Sequence, residues 1–174
     1  MMTNYPFGQG AVLEAVALRD PESGLMVVRE SLAKRPAWEY GDSRLRVLVR
    51  LDLPAAREQV RNLLGQTHAD FVEALVGQIG ESTHDDPTRA PDLEMHRNLL
   101  APRTLSESVV PELARLYCNS PSAKVRAAAG SALSEITQVR VPWNDPAQMR
   151  PALRAWWQRN AARLGRPASL LDAV

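Results

Sequence analysis

Four arginines, Arg29, Arg61, Arg97 and Arg126, recur at intervals of 32, 36 and 29 residues, each within an apolar stretch of helical spacing. A recurrence near 32 residues matches one helix, a turn and a second helix, which is the unit of a helical-hairpin array. Such a unit cannot cover its own apolar face. A chain built this way folds by stacking each hairpin on the next, so the spacing predicts an all-α protein with the whole chain, 1–174, as one stacked body.

The apolar pattern places four hairpins at about residues 9–35, 43–65, 67–101 and 104–137. In the first, Val12, Leu13, Val16 and Ala17 form one stripe, Asp20-Pro21 interrupts it, and Leu25, Val28 and Leu32 form the next before Pro36. In the second, Leu45, Leu48, Val49 and Leu51 precede a helix capped by Asp52, with Pro54 in its first turn and Gly65 at its end. The third opens near Thr67 with Phe71, Val72, Leu75, Val76 and Ile79, is expected to stop at Gly80, and resumes from Asp92 after a long acidic loop. The fourth has Leu105, Val109, Leu113 and Leu116 on one helix. On the other, Ala128, Ala129 and Gly130 are small enough to predict packing against a neighbouring backbone. A linker and capping helix occupy 138–165, where Met149, Leu153, Trp156, Trp157 and Leu164 follow Pro142-Trp143-Asn144-Asp145-Pro146.

The segment Ser120-Pro121-Ser122-Ala123-Lys124-Val125-Arg126-Ala127-Ala128-Ala129-Gly130 resembles the turn, Val-Arg pair and Ala-rich second helix of HEAT-like repeats, within the armadillo-type helical solenoids. Val28-Arg29 and Val60-Arg61 share the pair, whereas His96-Arg97 departs from it. Ser120 stands where that family commonly has an acidic turn residue, so no ion-pair ladder is carried over. The resemblance implies a right-handed α-α superhelix of about four HEAT-like hairpins closed by the C-terminal helix, an ending similar to those of bacterial HEAT-like proteins. It also implies a scaffold, adaptor or regulatory module that binds another protein.

The recurring arginines have two readings: they stitch turns to helices, or they form a row that meets a partner. Trp156 and Trp157, about 100° apart on their helix, are either end-capping core residues, one in contact with Trp143, or an aromatic recognition site. Arg29, Arg61, Arg97, Arg126, Trp156 and Trp157 are therefore the candidate partner-binding residues.

Net charge is +1, which gives no global attraction to nucleic acid or membranes. Its distribution is uneven, with seven carboxylates against Arg89 between His68 and Glu94, and eleven basic against five acidic residues from Met95 onward. Arginine outnumbers lysine nineteen to two, a bias that suits ion pairs as well as phosphates. Trp156, Trp157, Arg150, Arg154, Arg159 and Arg163 resemble locally the composition of HEAT-like enzymes that act on damaged DNA bases; nucleic-acid binding is the alternative function, and glycosylase or metal-dependent activity ranks well below it.

Cys118 is a single cysteine, which excludes an internal disulfide, and it suits packing in its apolar helix. Glu81, His84, Asp85 and Asp86 are the best metal-binding pattern, but they fall in a loop, no second set faces them, and no adjacent His-Glu pair occurs anywhere. The expectation is therefore no catalytic residue, no cofactor and no metal. No leader-like segment or apolar run of membrane-spanning length is present, so a cytoplasmic protein is expected.

Overall fold

Short acceptor side chains decide where the helices begin. Asp20 accepts from the Ser23 N–H at 3.2 Å, Asp42 from Arg44 at 2.9 Å, Asp52 from Ala55 at 3.1 Å, Ser122 from Val125 at 3.4 Å and Asp145 from Ala147 at 3.0 Å. Proline in the first turn after Asp20, Asp52 and Asp145 strengthens the same signal, because its missing N–H has no intrahelical partner there.

The computed structural model describes residues 6–35, 37, 42–81 and 103–172. Regular structure among these residues is entirely helical: α1 (Pro6–Arg19), α2 (Pro21–Lys34), α3 (Ser43–Leu51), α4 (Leu53–Leu64), α5 (Ala69–Glu81), α6 (Arg103–Ser108), α7 (Val110–Asn119), α8 (Ala123–Thr137), α9 (Pro146–Asn160) and a 3-10 turn at Ala168–Leu171. The second half of the third expected hairpin, with Arg97, lies outside the described residues.

In the first half, α1 packs on both α2 and α3, and α3 packs on α2 and α4. In the second half α8 is central, lying along α5 and α7 and touching α6. The α5–α8 pairing passes over α6 and α7 in sequence. Helix α4 meets both α5 and α6 and so joins the halves, while the 3-10 turn lies against α7 and α9. One core runs through these elements, from Val28 and Leu45 to Leu133, Ile136 and Trp157.

Two close helix approaches use glycine opposite alanine. A Cβ on Gly24 would lie 2.4 Å from the Ala17 Cα, and one on Gly80 would lie 3.1 Å from the Ala132 Cα. Gly80 stands in the last turn of α5, one residue before its end at Glu81, and there it also lets α8 come close. Gly130 meets backbone as expected, that of the following linker: a Cβ there would lie 3.2 Å from the Trp143 carbonyl oxygen and 3.1 Å from the Tyr117 and Trp143 rings. On the α5 side the close approach is made by Ala132.

Arg44 closes the junction between α2 and α3. Its guanidinium grips Asp42 through Nε at 3.0 Å and Nη2 at 2.6 Å, while Nη1 donates to the Arg35 carbonyl at 2.7 Å and the Ser31 hydroxyl at 3.2 Å. The next junction uses Arg29 of α2, which donates to Asp52 at 2.5 Å. That hydrogen bond holds the Asp52 carboxyl below its ordinary range. Desolvation opposes it, and the Ala55 N–H and the Arg29 charge add to the lowering.

Gly24→Ala is expected to lose about 1–3 kcal/mol in urea unfolding, because α1 and α2 must separate. Gly77→Ala, where nothing lies within 4 Å of the added Cβ, should gain about 0.5–1 kcal/mol through helix propensity. Equal effects would contradict the close approach. Since the folded Asp52 has a lowered pKa, its contribution is complete above the usual carboxylate range and lost as pH falls below about 4. Asp52→Asn keeps a capping side chain, so its unfolding free energy should fall less steeply than wild type over that acid window.

Candidate functional site

Ten consecutive residues, Leu105 to Ala114, are buried, so the α6–α7 strip is enclosed on all sides. Pro111 lacks the N–H that would continue one helix to Glu107, and the chain breaks at Val109 into α6 and α7. This corrects the expected single helix. The strip carries two acids into the interior, Glu107 and Glu112, and buried carboxylates require partners.

The partners come mostly from the C-terminal segment. After α9, Gly165 adopts φ +64°, and the Arg166 N–H bonds to the Ala161 carbonyl at 2.9 Å, turning the chain back toward α7. Arg166 then meets Glu112 through both terminal nitrogens at 3.0 Å, donates to the Ser108 carbonyl at 2.9 Å, and lies 5.9 Å from the Trp157 ring centroid. Only 8% of the Arg166 side chain and 7% of the Glu112 side chain are exposed. Arg163 pairs with Glu107 at 2.8 Å, and Arg57 of α4 donates to the Leu164 carbonyl at 2.9 Å. Burial, followed by the Arg166 charge, lowers the pKa of Arg57.

On the α4 side of Glu112 a groove of about 570 Å³ opens between the α4–α5 turn and the α7–α8 turn. Leu64, Val72, Leu116 and Val125 supply its apolar lining, with Arg61 and Arg115 among its charged groups. Its size falls in the roughly 300–1,000 Å³ span of ligand-binding clefts.

The candidate arginines do not share one environment. Arg126 donates to the Ser120 and Pro121 carbonyls at 2.6 and 3.1 Å, stitching turn to helix. Arg29 binds the cap of α4, and Arg61 divides itself between Glu58 at 2.8 Å and Glu112 at 3.2 Å. Trp156 and Trp157 are both buried, stacked at 6.3 Å with an interplanar angle of 30°, and the Trp157 indole donates to the Pro167 carbonyl. Their rings pack in the core. Trp143, by contrast, is 42% exposed.

The basic C-terminal residues Arg154, Arg159 and Arg163 are exposed but donate to nearby oxygens: Arg154 to the Leu171 and Asp172 carbonyls, Arg159 to Ala155 on its own helix, and Arg163 to Glu107. Burial raises the pKa of Tyr117, whose hydroxyl has no hydrogen-bond partner among the described residues. Its neighbour Cys118 is half-buried. The His84, Asp85 and Asp86 pattern lies outside the described residues. Among those described, no cluster of three His, Cys, Asp or Glu side chains could hold a metal, and no helix is long and apolar enough to cross a membrane.

Arg44, Arg57, Glu107, Glu112, Arg115 and Arg166 were not singled out by periodicity, which detects apolar stripes and treats interspersed charges as solvent-facing. Two signals pointed to the network: acids flanking a proline inside an apolar run, and the Leu164-Gly165-Arg166-Pro167 turn after a helix. No family model, curated protein or solved structure matches the chain.

Arg166→Ala leaves Glu112 buried with only the weaker Arg61 contact and should cost about 3–5 kcal/mol. Arg29→Ala removes a pair whose arginine is 60% exposed and should cost less than about 1 kcal/mol. Denaturant titration of both variants checks the contrast.

Proposed function

We propose that this chain is a HEAT-like helical-repeat module, a right-handed α-α superhelix of about four hairpins, that binds another protein and performs no chemistry itself. The observation that carries the recognition role is the apolar surface of the first hairpin. Val12 is 62% exposed, and Val16, Leu18, Met26 and Val27 are each about half exposed. Large apolar side chains collected on one hairpin mark an interaction surface more often than isolated ones do.

Stacking of α1 on α3, beside the α1–α2 and α3–α4 pairings, supports the repeat arrangement. At the other end α9 supplies four buried apolar side chains, Met149, Leu153, Trp156 and Trp157. The two ends thus differ in character: the last helix is closed by tryptophan packing, while the first hairpin keeps apolar side chains available. Val12 and Val16 lie one turn apart on α1, so they can enter one partner surface together.

The test is affinity capture from native extract, followed by reconstitution with purified candidates, using wild type and a Val12→Asp, Val16→Asp double variant. A saturable complex lost in the variant, with thermal stability retained, is the expected result. Equal capture by both proteins would remove the first hairpin from the interface. Salt-dependent binding to a defined oligonucleotide, with no saturable protein complex, would replace the reading with nucleic-acid recognition.

A further inference from the structure

The groove between the α4–α5 and α7–α8 turns has a chemistry distinct from that of the first hairpin. Leu64, Val72, Leu116 and Val125 make it apolar, so an occupant must bring apolar side chains of its own. Glu112 also lines it, but the two-pronged contact with buried Arg166 neutralises that carboxylate. The remaining charge comes from Arg61 and Arg115.

Arg61 is shared between Glu58 at 2.8 Å and Glu112 at 3.2 Å, so its charge is already engaged. Arg115 is exposed and has no hydrogen-bond or ion-pair partner among the described residues. Asp70 and Lys124, 3.8 Å apart beside the groove, offset one another. Helices α5 and α8 begin here and α4 and α7 end here, so the partial charges of the helix ends offset one another. The groove therefore combines an apolar lining with one unengaged cation, Arg115, at its margin.

We propose that this groove docks an extended peptide segment of a partner protein in which apolar side chains alternate with carboxylates, the apolar ones against Leu64, Val72, Leu116 and Val125 and a carboxylate on Arg115. Alternation suits the site because successive side chains of an extended peptide point in opposite directions, one set inward and the other toward the rim. This goes beyond the proposed partner surface on α1 and α2 and uses none of its residues.

The test titrates the full chain against three labelled peptides, one alternating leucine and aspartate within a Gly-Ser frame, one with asparagine in place of aspartate, and one with lysine. Fluorescence anisotropy reads affinity, and backbone amide shifts locate the contact. The aspartate peptide should bind saturably, shift Leu64, Gly65, Thr67, Leu116 and Asn119, and weaken with salt. Arg115→Gln should weaken it about tenfold, the loss of one charge-assisted hydrogen bond, while Arg115→Lys retains part of the affinity.

Equal binding of the asparagine peptide, shifts outside the groove, or an unchanged affinity in Arg115→Gln would overturn the proposal. So would hexanoate binding as tightly as the peptide, which would assign the groove to a small apolar acid. Val12→Asp with Val16→Asp should leave the peptide affinity unchanged, which keeps failure at the first hairpin separate from failure here.

Discussion

Glu112 is the constraint around which the second half of the molecule is arranged. It sits within a run of ten buried residues, where an unpaired carboxylate would cost several kcal/mol. Arg166 reaches it from a segment placed after α9, with Gly165 making the turn and Trp157 lying beneath the guanidinium. The ionic contact thus fixes where the C-terminal segment lies. Because Arg61 approaches the same carboxylate from α4, one acid also ties the first half of the chain to the second.

Arginine is used here mainly as a fork for backbone oxygens and carboxylates. Arg44 gathers the carbonyl of Arg35 and the carboxylate of Asp42, Arg126 takes two carbonyls of the turn before α8, and Arg57 and Arg154 bind carbonyls of the C-terminal segment. Each guanidinium offers five donors in a plane, which lysine cannot reproduce. Helix ends leave carbonyls without intrahelical donors, and a molecule with many short helices has many such ends. The excess of arginine over lysine has a structural use in these contacts.

Helix positions were legible because they depend on local chemistry. Asp52 with Pro54, the Asp20-Pro21 break and the apolar stripes of α2 and α8 all appear in the helices they predict. The α6–α7 break was not anticipated, since the stripe of Leu105, Val109 and Leu113 passes straight through Pro111. Gly80 shows a different limit: its place after an apolar stripe marks the end of α5, but nothing local reveals that it also admits α8. Of the candidate site residues, Arg126 acts at its own turn and was readable from its spacing. The partners of Arg29 and Arg61 lie 23 and 51 residues away and depend on packing that periodicity does not encode.

The separation between Glu112 and Arg166 has a consequence for how the chain reaches its fold. Local helices form quickly, but contacts across long stretches of sequence require loop closure first. When the ribosome has delivered Glu112, the arginine that forks onto it is still 54 positions from being made. Until then the α6–α7 strip is better hydrated than enclosed, and the core around it has reason to stay open. Before that, Glu112 has only the 3.2 Å contact with Arg61 to draw on, so its full set of partners is complete only with the Gly165–Arg166 turn.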